Sequence, residues 1–492
     1  MILLLSGHSF RFELENICRV FFPDQKIGRC ANASPKGRLR MIPPATVVLT
    51  QIDARDILTV CLYHQRGKRT LCKRVSQAEE HELCLAKMLY VLLRRLTGYT
   101  PPWGLLTGVR PSKLMLRLRR DCGADEAVRY FQNQLWVSPA KTALAQTVAL
   151  AEEPILAQTR INSFSLYISI PFCPSRCSYC SFVSQTITRG SAQKLIPDYI
   201  NALCDEIAVA GTIAAALGLR LESCYIGGGT PSILDCAQLA QLFAALQSYF
   251  DMQSCKEFSF EAGRPDTITP QKLDSIQRAG IQRLSINPQS MSDDILRRVG
   301  RLHTAEDIVQ CYERARSMGF KSINMDLIAG LPRDTAEGFR QSLLALIALR
   351  PQNITVHTLA LKRAADLAAQ GIAPDAARTT SEMLAIAQEL LPEAGYAPYY
   401  MYRQSKSLGN LENIGWALPH GACRYNIDMM EESHTILGCG AGAVTKLKDP
   451  HSDKLERVFS LKYPYEYLTR FQELLARKER IKIFYLNNTI IN

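Results

Sequence analysis

The segment Tyr167-Ile-Ser169-Ile-Pro171-Phe172-Cys173-Pro-Ser-Arg-Cys177-Ser-Tyr179-Cys180 sets three thiols at C-x3-C-x2-C spacing. Three thiolates on one short loop can ligate three irons of a cubane cluster and leave the fourth iron without a local cysteine. An open metal position in a protein is where a substrate or cofactor binds, by the logic that separates catalytic from closed structural zinc sites. Two plainer readings compete: packed cysteines, or zinc. Zinc sites normally take four protein ligands from C-x2-4-C pairs. The spacing therefore favours a cluster held by Cys173, Cys177 and Cys180.

Further groups able to do chemistry follow at intervals. Tyr225-Ile226-Gly227-Gly228-Gly229-Thr230-Pro231-Ser232 removes Cβ atoms and lets backbone N–H and C=O groups approach a ligand. On its own such a run is equally a turn. Phe260-Glu261 offers a carboxylate for a ribose hydroxyl pair or an ammonium, or for a surface salt bridge. Gln289, Arg301 and Asp326 complete the set. A charge inside a strand is costly unless paired, so an Arg301–Asp326 pair is the simplest structural reading.

These residues need elements to position them. β-like runs occur at Leu166–Ile170, Ser223–Ile226, Glu257–Phe260, Arg283–Ile286, Ile323–Ile328 and Ile354–Leu359. Helical stretches such as 197–217 and 304–318 separate them. This alternation predicts an α/β fold with a parallel sheet and right-handed crossovers. Six units are fewer than the eight of a closed barrel, which predicts an open, partial barrel with its chemistry at the C-terminal strand ends. The cysteine loop, the glycine run and Glu261 all follow or end such strands.

With loop and strands together, the sequence resembles the radical S-adenosylmethionine (SAM) superfamily. The resemblance implies a partial (β/α)6 barrel, a [4Fe-4S] cluster and one or two SAM molecules. SAM would chelate the fourth iron, and its cleavage would release a 5′-deoxyadenosyl radical. Tyr167…Pro171-Phe172-Cys173, Gly227–Pro231, Glu261, Arg283-Leu284-Ser285…Gln289-Ser290, Gly300-Arg301…His303-Thr304 and Asp326-Leu327-Ile328…Gly330-Leu331-Pro332 resemble the oxygen-independent coproporphyrinogen III oxidase (dehydrogenase) family. The tail from Tyr399 to Asn413 and the N-terminal segment resemble its longer, HemZ-type form.

Carried over by position, Tyr167, Gly228 and Glu261 would touch the cluster-bound SAM. Tyr179, Gly229, Thr230, Gln289, Arg301 and Asp326 match contacts to a second SAM. The family commonly has His where this chain has Ser169, and its best-known branch has Cys where this chain has Phe182. The implied reaction is oxidative decarboxylation of two propionates of coproporphyrinogen III to the vinyls of protoporphyrinogen IX, in haem biosynthesis. Arg264, Arg301, Lys362 and Arg363 are candidate partners for the substrate's propionates by location. A haem chaperone of the same superfamily is the first rival. That subgroup resembles His-Asn-x-x-Tyr-Trp where this chain reads Glu412-Asn413-Ile414-Gly415-Trp416, and His420 and His434 are the substitutes to consider.

Charge divides the chain. Of 58 Lys+Arg and 46 Asp+Glu, residues 1–150 hold 23 and 11, so the whole surplus of +12 lies there. The expected organisation is a basic α+β accessory domain (1–150), the barrel (160–374) and a C-terminal module (375–492). A basic segment raises the second rival, a radical enzyme acting on RNA, but no RNA-binding motif with interleaved aromatics is visible there. A solvated basic surface is the simpler reading. No apolar run approaches the ~20 residues of a membrane helix, and Met1–Leu5 reads as a strand rather than a signal peptide. Sixteen scattered cysteines without an export signal predict free thiols in a reducing cytoplasm. An electron donor such as flavodoxin or ferredoxin is the expected protein partner; the oligomeric state is open.

Overall fold

The computed structural model describes residues 1–23, 25–31, 46–65, 67–182, 184–187, 191–360, 365, 367, 375–404 and 407–489. Lys362 and Arg363 lie outside them. The chain divides into two compact units, Met1–Gln146 and Thr147–Asn492.

The first unit has a five-stranded sheet: β1 (Ile2–Ser6), β2 (Gly28–Ala31), β3 (Val47–Ile52), β4 (Ile57–His64) and β5 (Gly67–Arg74), ordered β2-β1-β3-β4-β5. Helices Arg11–Phe21 and His81–Thr97 bury Leu14, Ile17, Leu85 and Leu89 against Val48, Leu58 and Val60. The edge strand β5 is almost wholly exposed and carries Lys68, Arg69, Lys73 and Arg74. Charge along an edge discourages strand addition from another chain, which gives part of the basic surplus a structural use.

The second unit is built on an eleven-stranded sheet. Its centre is β6 (Ser163–Ile170), β7 (Arg220–Gly228), β8 (Glu257–Gly263), β9 (Arg283–Ile286), β10 (Ser322–Ala329) and β11 (Asn353–Thr358), all parallel. These are the six expected strands, in chain order across the sheet. Buried apolar residues alternate in them with polar ones, as Ile323, Met325 and Leu327 do with Asn324 and Asp326. The expected start of β7 is too late. Polar Glu222 hides it in the sequence, yet that side chain is fully buried with Lys256 at 2.7 Å and Arg424 at 3.6 Å.

Residues after 375 add strands at both ends of this sheet. At one end lie β12 (Ala397–Arg403) and β13 (Glu412–Ala417), antiparallel next to β11. At the other lie β14 (Thr435–Cys439), β15 (Val444–Lys448) and β16 (Leu455–Phe459). β14 pairs in parallel with β6, Gly438 facing Tyr167 and Cys439 facing Ile168. The strand before the cysteine loop is thus held from both sides. Among the described residues one helix, Ala192–Ala216, is long and apolar enough to cross a membrane, and 56% of its most apolar window is buried within the fold.

Candidate cofactor site

The cysteine loop leaves the C-terminal end of β6. Cys173 and Cys177 are buried and Cys180 is partly exposed. The Cys180 N–H donates to Cys177 O at 3.0 Å and closes the turn. Burial pushes the Cys180 thiol up to about 11, and the neighbouring Cys177 and Cys173 add to the shift. Burial works in the same direction on Cys177, but Arg301 and Arg264 hold that thiol below its ordinary value. Arg264 Nη2 donates to Cys177 Sγ at 3.0 Å and to Ser175 O at 2.7 Å, and Nη1 to Ser175 Oγ at 2.6 Å. These three bonds tie Arg264 to the cysteine loop. Thr230 Oγ1 donates to Cys173 Sγ at 3.6 Å.

The glycine run ends β7 beside this loop. Gly229 N donates to Ile170 O and Thr230 N to Phe172 O, both at 2.8 Å. Gly228 has φ +110°, a backbone conformation that favours glycine, and a Cβ there would lie 3.0 Å from Ser169 Oγ, a tight contact. Tyr167 and Tyr225 are cross-strand partners, with ring centroids 6.4 Å apart. Tyr425, from helix Arg424–Glu431, stacks on Tyr225 at 4.5 Å and on Tyr167 at 6.3 Å. Tyr225 donates to Glu261 Oε1 at 2.5 Å. Burial raises the Glu261 carboxyl to about 7, opposed by the Tyr225 bond and reinforced by the Asp326 charge.

The expected Arg301–Asp326 pair does not form. Arg301 Nη1 donates to Asn287 O, and its guanidinium faces Tyr179 and Cys177. Asp326 instead accepts from Asn324 Nδ2 at 2.7 Å and faces His357 Nε2 at 3.7 Å. Burial works against the Asp326 charge, yet His357, Asn324 and Thr355 hold its carboxyl below the ordinary carboxylate value. Gln289, with φ 70°, is locked by backbone bonds to Asp326 O and from Ile328 N. Among the described residues, Gln289 Oε1 and Arg301 Nε are buried without a hydrogen-bond partner.

These features bear on which groups fit. Among the described residues no three His, Cys, Asp or Glu side chains converge tightly enough for a single metal ion. A cubane has its thiolates on separate irons and asks instead for three cysteines spread on one loop. The loop supplies that donor set, with two cationic side chains beside it. The unpartnered Gln289 and Arg301 atoms are donors and acceptors left for a polar ligand. The residues present thus fit a cluster and SAM.

Sequence reasoning missed Tyr225, Tyr425, Ser175 and His357. Tyr225 could have been found, because strand alternation puts it on the same face as Gly227. Tyr425 could not, since it arrives from a helix that docks only in the folded chain. His434, considered as a haem ligand, is a buried core residue: Nε2 lies 2.7 Å from Ser165 Oγ and Nδ1 lies 3.7 Å from Asp428.

Residues 167–346 match the family model described as the radical SAM superfamily, whose members use a [4Fe-4S] cluster and SAM. The chain is 37% identical, over 79% of its length and 78% of the relative's, to the oxygen-independent coproporphyrinogen-III oxidase-like protein HemZ of Bacillus subtilis. It is 30% identical to the haem chaperone HemW of Haemophilus influenzae, over 66% of this chain and 80% of that one. Among solved structures, the coproporphyrinogen III oxidase HemN of Escherichia coli superposes with a TM-score of 0.52 at 24% identity, covering 66% of this chain and 73% of that one. With the cysteine loop, glycine run and partial barrel in place, these matches show that the chain has the fold of HemN and belongs to the radical SAM superfamily and, within it, to the family of the HemZ-like protein.

Proposed function

We propose that this protein carries out oxygen-independent oxidative decarboxylation of coproporphyrinogen III to protoporphyrinogen IX. The observation that carries this reading over a haem-chaperone role is the state of its tail. Glu412 stands where the chaperone motif has histidine; it is fully buried on β13 and bonded to Gln388 Nε2 at 3.3 Å. His434 is committed to Ser165 and Asp428, and His420 is an exposed turn residue with φ 64°.

Cys173, Cys177 and Cys180 would hold the cluster. Tyr167, Gly228 and Glu261 would contact the SAM bound to it. Tyr179, Gly229, Thr230, Gln289, Arg301 and Asp326 are the assigned contacts to a second SAM. When bound, cluster and SAM supply one-electron reduction and hydrogen-atom abstraction. The protein's own groups prepare the place. Arg264 and Arg301 favour the thiolate of Cys177. Gly228 lets the backbone close on a ligand. Tyr225 holds Glu261 through its hydrogen bond, and Tyr425 packs on the rings of Tyr225 and Tyr167.

Each reacting propionate must lose a β-hydrogen atom, CO2 and one electron, the last to an external acceptor. An electron donor such as flavodoxin or ferredoxin and residence in the cytoplasm belong to this reading. The test is a side-by-side incubation of reconstituted protein with coproporphyrinogen III and with haemin. Protoporphyrin formation without a stoichiometric Soret shift supports the enzyme; a stoichiometric Soret shift without decarboxylation overturns it.

A further inference from the structure

We propose that the C-terminal helix Phe471–Thr489 is a positioning element for the cofactor strand, acting through Ser169. The connection is a buried run of direct contacts. Lys478 Nζ pairs with Glu206 Oε1 at 2.8 Å and donates to Gly438 O at 2.5 Å. Glu206 Oε2 accepts from Tyr467 OH at 2.6 Å and from Gly440 N at 2.7 Å. Glu206 has no exposed surface and Lys478 only 4%. The Gly440–Ala441 turn then meets Ser169. Ser169 Oγ donates to Ala441 O at 2.8 Å, while Tyr199 OH donates to Ser169 O and accepts from Ala441 N, both at 2.8 Å. A Cβ at Gly440, where φ is +98°, would lie 2.5 Å from Ser169 O, so the turn presses directly on the strand.

Ser169 lies between two sites already described. Tyr167 precedes it by two residues, and its hydroxyl covers Gly228 on the other side. A displacement of the Gly440–Ala441 turn is therefore felt by both residues assigned to SAM. Apolar packing would attach a helix at least as well as a buried ion pair, which must offset the desolvation of two charges. What the pair adds is a fixed register: Lys478 Nζ is held between Glu206 Oε1 and Gly438 O, while Glu206 Oε2 accepts from Gly440 N and from Tyr467 of the preceding helix, Pro464–Thr469. The helix is thus set at one height relative to the cysteine loop.

This inference rests on the assignment of Tyr167 and Gly228 to SAM, and the experiment separates the two. The probe is SAM itself, titrated anaerobically into the full-length, cluster-reconstituted protein. Ser169→Ala and Tyr467→Phe each remove one hydrogen bond of the run. Each is expected to raise the SAM dissociation constant about threefold to tenfold at unchanged iron content. Tyr485→Phe is the control: it removes a hydrogen bond from the same helix to Thr435 Oγ1 at 2.5 Å, away from Ser169. It should lower the melting temperature and leave the dissociation constant at the wild-type value. Wild-type affinity in both Ser169→Ala and Tyr467→Phe overturns the proposal, as does an equal loss in Tyr485→Phe. If Tyr467→Phe does not fold, Lys478→Met, which removes the helix's own contacts to Glu206 and Gly438, takes its place, and wild-type affinity there overturns the proposal. Tyr167→Phe tests the assignment separately: unchanged affinity there, with weakened Ser169→Ala, removes Tyr167 from the SAM site and leaves the positioning role standing.

Discussion

Arg264 lies against the cysteine loop with one guanidinium nitrogen 3.0 Å from the sulfur of Cys177. The side chain is 3% exposed, so its charge is not dispersed into water. Two further bonds go to Ser175. This contact makes Arg264 part of the frame of the loop. Arg264→Gln removes the charge and part of the hydrogen-bonding fork. Hydrogen bonds to charged groups are each worth about 1.5–3 kcal/mol. The expected result is a lower melting temperature and faster bleaching of the reconstituted cluster on exposure to oxygen. Bleaching at the wild-type rate would contradict the role.

The cluster assignment predicts a different outcome for the thiols. Cys173→Ala, Cys177→Ala and Cys180→Ala should each lose the iron and sulfide bound after anaerobic reconstitution, together with SAM cleavage. Substitution of Cys204, which lies outside the loop, should change neither. Iron analysis and the visible spectrum read this directly. Retention of SAM cleavage in Cys177→Ala would remove that residue from the set.

Glu261 supplies a pH dependence. Its folded-state value of about 7 lies above the ordinary 4.5. A carboxyl raised on folding contributes stability that is fully present below the unfolded value and lost as pH rises through the folded one. Stability should therefore fall between about pH 5 and pH 7.5, by on the order of 1–3 kcal/mol. Glu261→Gln, which cannot ionise, should flatten this part of the profile. Chemical denaturation at a series of pH values is the measurement, and an identical slope in both proteins would count against the buried carboxyl.

His434 separates a core histidine from a haem ligand. His434→Gln should leave haemin titrations unchanged. It should also cost about 1–3 kcal/mol in stability, because Ser165 and Asp428 lose a buried partner. A haemin-induced Soret shift in the wild type that disappears in His434→Gln would reverse the reading.

How far the sequence reaches can be seen residue by residue. The six central strands are legible because each carries short β-like stretches of buried apolar residues between longer helices, and the cysteine spacing is local. Glu222 hides the beginning of β7 because its partners, Lys256 and Arg424, come from elsewhere in the chain. The Arg301–Asp326 expectation fails for the same reason. Each charge has a nearer partner that only folding supplies: Asn287, Tyr179 and Cys177 for Arg301, and Asn324 and His357 for Asp326. Tyr425 and Ser169 acquire their roles from the C-terminal segment. That segment's strands enter the same sheet on either side of the barrel strands, a placement that local periodicity does not encode.

The central claim is tested most directly by anaerobic turnover of coproporphyrinogen III with reconstituted protein, SAM and a reductant. The account predicts protoporphyrin after oxidation of the product, with one 5′-deoxyadenosine formed for each propionate lost and neither product from Cys177→Ala. Formation of 5′-deoxyadenosine by the wild type with coproporphyrinogen III left intact would contradict it.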